Sequence, residues 1–198
     1  MKKTFNELDQ WVIKNWIESR QLEDSMIEVR EKYESVCDRI IDAVKEEQQE
    51  LDNCRIRRKG EALIFSKKKW LSKWETWPSG LWIWNISLDK LMADDADVPG
   101  VGIQLLVPKG ITFDLKDARA KIQNASVKLM NGINTKYLVE EDDSGLSFWH
   151  SIPEPRKELT QMLLDDESEK FVECIASHVK ILTRFIPVLD EILLTKKP

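Results

Sequence analysis

Between Arg55 and Trp84 the chain interleaves cationic side chains with indoles, a mixture with a definite chemistry. Arg55, Arg57, Arg58, Lys59, Lys67, Lys68, Lys69 and Lys73 stand against Glu61 alone over residues 55–73, a local charge of +7. Trp70, Trp74, Trp77, Trp82 and Trp84 overlap and follow that stretch. Cations that track phosphates, beside indole faces that stack on bases at about 1–3 kcal/mol each, grip single-stranded nucleic acid. An anionic sugar or nucleotide would be held by the same groups. The candidate ligand-binding residues are therefore Arg55, Arg57, Arg58, Lys67, Lys68, Lys69, Trp70, Trp74 and Trp77. Core packing competes with this reading. Trp70 and Trp74 stand one helical turn apart, and large aromatic stripes more often fill cores than form ligand platforms.

A second constellation is built on carboxylates. Asp114-Leu115-Lys116 is a D-x-K triplet, with Asp94, Asp95 and Asp97 upstream and Gln123 downstream. Metal-dependent nucleases of the PD-(D/E)XK type use such an order, acidic groups holding Mg²⁺ while a lysine polarises the attacking water. On that alternative Asp97, Asp114, Lys116 and Gln123 would be catalytic. The Pro-Asp of the motif is missing, and Asp114 or Thr112 also suits the cap of a following helix.

Nucleophilic and redox chemistry find less support. No G-x-S-x-G is present, and Cys174 with His178 forms a lone i, i+4 pair beside the apolar stripe at Ile175. His150 alternates with Phe148 and Ile152, as a hydrogen-bonded residue of an inner sheet face or its edge would. Three scattered cysteines (Cys37, Cys54, Cys174) without a C-x-x-C pair indicate reduced thiols and no disulfide framework. Gly100-Val101-Gly102 leads into a strand pattern where a phosphate loop needs a helix. No metal or cofactor is expected.

The 198 residues carry a formal charge of −5 and a mean hydropathy of −0.40, with eight Trp and six Phe. That is enough aromatic content for a core and too little continuous apolar sequence for a membrane span. The start, Met1-Lys2-Lys3, is followed at once by polar residues, so no secretory leader is expected and the location implied is cytoplasmic.

Glycine and proline partition the chain into elements that must position these groups. Residues 1–59 hold neither, 60–155 hold all seven Gly and five of seven Pro, and only Pro187 and Pro198 follow. The expected architecture is one α+β domain: a helical segment over 1–54, a sheet region over 60–155 with one crossover helix, and C-terminal helices over 156–198. The capping boxes Thr4-x-x-Glu7 and Ser25-x-x-Glu28 predict two N-terminal helices, about 5–20 and 25–52. Five mostly antiparallel strands are expected, at 62–65, 82–88, 101–107, 137–139 and 146–152, with room for one parallel pair. A helix of about 17 residues should start at Asp114 and stop at Gly132. Pro187 should kink a long final helix.

These patterns lead to a non-enzymatic binding or adaptor module. Its partners would be a protein or a second copy of itself, met through the amphipathic helices, with the Arg55–Trp84 window as a further surface. Nucleic-acid or anionic-ligand binding by that window and the nuclease are the alternatives.

Overall fold

The strongest period-two runs do form strands. The computed structural model describes residues 6–46, 51, 54–70, 78–93, 98–107, 114–130, 137–142, 145–165 and 167–194. They fall into two compact units, Met1–Asp38 and Arg39–Pro198. The fold is α+β, with a fully antiparallel six-stranded sheet.

The first unit is helical. Helix α1 (Glu7–Lys14) starts at an N-cap Asn6, whose side chain accepts from the Asp9 amide while the Asp9 carboxylate accepts from Asn6. Two orphan donors are thereby satisfied reciprocally, two residues later than the Thr4 capping box predicts. Helix α2 (Trp16–Glu46) follows after Asn15, continuing into the second unit. The break thus falls at Asn15 and not at 20–25. Ser25 lies inside α2, its hydroxyl donating to the Gln21 carbonyl, so the second expected cap is an ordinary helix-interior serine.

The sheet belongs to the second unit, in the order β1-β2-β3-β4-β6-β5. Its strands are β1 (Cys54–Lys59), β2 (Ala62–Lys67), β3 (Gly80–Trp84), β4 (Gly100–Leu106), β5 (Leu138–Asp142) and β6 (Gly145–Ser151). No parallel pair forms among the described residues: the crossover delivers β5 to the far edge, where it pairs with β6. Strand β1 is the addition to the five expected. Its sequence, CRIRRK, lacks an apolar alternation because it is an edge strand, where charge protects the unpaired side. Strand β3 ends earlier than expected. Asn85 takes a left-handed φ of 54°, and Ser87 then caps the short helix α3 (Leu88–Met92) by accepting from the Lys90 amide.

Register sorts the side chains into two faces. On the inner face Leu63, Phe65, Leu81, Ile83, Val101, Ile103, Leu105, Leu146 and Phe148 are all buried. Each such side chain stabilises the fold by about 1.5–3 kcal/mol. Helix α4 (Leu115–Leu129) packs on β6, and α6 (Ser168–Thr183) on β3 and β4. Helix α5 (Arg156–Leu164) packs on α6. Phe185 reaches Phe148 with ring centroids 5.5 Å apart. It stands at the break between α6 and α7 (Ile186–Leu194), which the ring of Pro187 enforces two residues on.

The outer face is narrower in chemistry. Across it run Arg57, Ile64, Trp82, Gly102 and Trp149 as successive partners from β1 to β6. Gly102 has to be glycine: a Cβ there would come within 2.5 Å of the Trp149 Cβ and 2.6 Å of the Phe148 carbonyl oxygen. Among the described residues no helix is long and apolar enough to cross a membrane.

Candidate functional site

The outer face carries a polar-walled aromatic hollow. Its volume is about 410 Å³, and it is lined by Trp84, Asn85, Val98, Gly100, Gln104, Glu140, Ser147, Trp149 and Ser151. Residues on four neighbouring strands converge there because the register places Trp84 opposite Gly100, Gln104 opposite Ser147, and Ser147 opposite Glu140. The missing side chain at Gly100 opens the floor. The two indoles meet edge-on at 6.5 Å, and Trp84 stacks on Trp82 at 5.8 Å. Trp82 is buried with Ala62 and Ile64, whereas Trp84 and Trp149 are half-buried. The Ser147 hydroxyl donates to Gln104 Oε1 at 2.6 Å, fixing one polar wall. Such a hollow can hold a planar or sugar-like group between an indole face and amide or hydroxyl partners.

The cationic window divides between faces. Arg55, Arg57 and Lys59 stand in register with Ser66, Ile64 and Ala62, so they share the outer face with Trp82 and Trp84. Arg58 alternates to the inner side of the β1 edge and is exposed, as are Lys68 and Lys69 in the turn after β2. Lys67 and Trp70 are committed to the fold. Lys67 Nζ lies 2.5 Å from one Asp190 carboxylate oxygen, and the Trp70 indole N–H donates to the other at 2.9 Å. Lys67 also stands over the Trp70 ring at 5.4 Å, and Trp70 is 1% exposed. This trio ties β2 to α7, so Trp70 is not placed as a ligand platform. Trp74 and Trp77 lie outside the described residues. Trp149, which completes the hollow, is absent from the sequence-derived set; its position opposite Phe148 on an alternating strand is the signal that could have found it.

Among the described residues, the members of the carboxylate constellation do not converge. Asp114 caps α4, its carboxylate accepting from the Lys116 and Asp117 amides at 2.9 and 3.2 Å. Gln123 lies nine residues on along the same helix, an axial distance of about 13 Å at about 1.5 Å per residue. Lys116 and Gln123 are both exposed. Asp97 lies outside the described residues.

One further group of ligating side chains does come together: Glu154, Cys174 and His178, with His150 beside them. The i, i+4 spacing on α6 brings only Cys174 and His178 into view from sequence. His150 lies buried on the inner face, its Nδ1 2.7 Å from the Ser151 carbonyl oxygen.

No protein-family model matches the chain, and neither the curated proteins nor the solved structures contain a match to it.

None of the thiols is activated. Burial pushes Cys37 and Cys54 up to about 11, and Cys174 up to about 12. A raised thiol pKa holds the proton more tightly in the folded chain than in the unfolded one. The stability it contributes is whole below about pH 9, and is lost as pH rises through about 11. Alkylation of Cys37 and Cys54, followed by mass spectrometry, should accelerate toward pH 11 in the folded protein and level off near pH 9 in urea. A native profile levelling near or below pH 9 would contradict this burial.

Proposed function

We propose that this chain is a non-enzymatic binding module that pairs with a second copy of itself through α1 and the first turns of α2. One observation carries the reading: large apolar side chains stand in solvent along this helical segment. Trp11 is 53% exposed, Trp16 63%, Leu22 60%, Met26 51% and Ile27 49%. Together with Ser19 they line a hollow of about 450 Å³. Full burial of one such side chain is worth about 1.5–3 kcal/mol, and association costs roughly 4–15 kcal/mol, so several per copy must be covered. The segment supplies that number. Exposed apolar patches of this kind mark interaction sites in soluble proteins.

Self-complementarity favours a second copy over a foreign partner. Laid antiparallel about a two-fold axis at Ser19, two copies set Trp11 beside Ile27, Val12 beside Met26 and Trp16 beside Leu22. The same alignment brings Arg30 to the acidic first turn at Glu7 and Asp9. Ser19 Oγ, buried and without a hydrogen-bond partner among the described residues, then meets its own copy. The ion pairs Arg20–Glu23 and Glu28–Lys32 lie within each helix and need no partner. Light scattering should show a dimer for the native chain and a folded monomer for Leu22→Glu/Ile27→Glu. A native chain that stays monomeric at high concentration would end the proposal, as would a double variant that still dimerises.

The outer sheet face supports a second reading, the binding of an anionic, base-bearing ligand such as a single strand of nucleic acid. Its support is the register that sets Arg55, Arg57 and Lys59 beside Trp82 and Trp84. Phosphate contacts weaken with salt, with a slope of about −0.7 per contact for single strands. Arg57→Glu should therefore weaken oligonucleotide binding and flatten its salt dependence, measured by fluorescence anisotropy, more than Arg58→Glu does. Equal effects of the two variants, or none, would exclude this face.

A further inference from the structure

Helix α6, the end of β6 and the connection into α5 converge on a cluster that the binding reading does not use. Glu154, Cys174 and His178 each direct one ligand atom to a common region, all within 4.8 Å of one another. The His178 Nε2 to Glu154 Oε2 separation is 3.6 Å. That is too long for a hydrogen bond. It suits two ligands of one tetrahedral zinc, whose bonds of about 2.0–2.3 Å spread the ligand atoms by about 3.3–3.7 Å.

The polar groups here lack the partners that burial demands. Glu154 Oε2, His178 Nδ1 and His150 Nε2 are buried with no hydrogen-bond partner among the described residues. An unsatisfied buried polar atom is costly, so Glu154 Oε2 and the nearby His150 Nε2 indicate a missing occupant. His150 is the sharpest case, being 3% exposed. Its Nδ1 is 2.7 Å from the Ser151 carbonyl, an acceptor only, so the proton sits on Nδ1 and a bare lone pair on Nε2. The ring centroids of His150 and His178 are 5.1 Å apart.

We propose that Glu154, Cys174 and His178, with His150 beside them, form a site for one divalent transition metal of the zinc class, which clamps α6 to the connection that follows β6. A thiol and an imidazole with a single carboxylate select zinc or cobalt over magnesium or calcium, which require oxygen ligands. On binding, the Cys174 S–H bond breaks, its proton leaves to solvent and a metal–sulfur bond forms, with no change of oxidation state. Water filling the cluster is the competing occupant, and it would need none of the three side chains to be a ligand.

Cobalt distinguishes the two. The full chain, stripped with a chelator and titrated with Co²⁺, should take up one ion per chain. Tetrahedral visible absorption and a thiolate-to-cobalt charge-transfer band should appear, and Zn²⁺ should displace them. Cys174→Ser should lose the charge-transfer band, and His178→Asn should weaken binding by more than about 100-fold, since loss even of a supporting outer group costs about 10–100-fold. Cys54→Ser should leave both unchanged, and circular dichroism of each metal-free variant establishes that it is folded. A rise in melting temperature with Zn²⁺, present in the native chain and absent in folded Cys174→Ser, would support the clamp independently. A folded native chain that binds neither ion, or a charge-transfer band that persists in Cys174→Ser, would overturn the proposal.

Discussion

The approach of β4 to β6 at Gly102 governs what both faces of the sheet can carry. With no Cβ at Gly102 and none at Gly100, the Trp149 ring lies down over β4 and meets Trp84 edge-on. The same register turns Val101, Ile103 and Leu105 inward, together with Phe148 and His150, under α6. A slip of one residue would exchange the faces, setting two glycines against the helices and sending the core residues to solvent. The aromatic hollow and the sealed core are therefore consequences of one pairing.

Much of this was legible in the alternation of residue types. Val101, Ile103 and Leu105 in β4, and Leu146 and Phe148 in β6, announce their strands because one face of each is buried. Asp114 announces its cap, because a carboxylate before a run of helix formers has few other local uses. Pro187 marks the break between α6 and α7 for an equally local reason. Strand β1 was not legible. An edge strand satisfies its backbone on one side only, and the residues that protect it, Arg55, Arg57 and Arg58, erase the apolar alternation. The break at Asn15 was hidden too, because Ser25 imitates a cap at a place where the helix simply continues.

The candidate sites were less legible than the fold, since each depends on long-range pairing. The sequence groups Trp70 with the cations around it. The structure gives Trp70 and Lys67 to Asp190, more than a hundred residues away, and brings in Trp149 from another strand. Cys174 and His178 are visible as a pair on one helix, but Glu154 and His150 reach them only through the turn out of β6. Local charge was a sound guide to the edge of the sheet and a poor one to which side chains are free to meet a ligand.

The helical segment from Glu7 to Arg30 carries its own apolar residues, Trp11, Trp16, Leu22, Met26 and Ile27 among them, largely exposed. Covering them with a second copy is the claim on which the binding reading rests. Amide hydrogen exchange, followed by mass spectrometry across a wide range of protein concentration, tests it most directly. Amides of residues 7–30 should gain protection as concentration rises, while those of β3, β4 and β6 stay constant. Exchange over 7–30 that is equally fast at every concentration would contradict it.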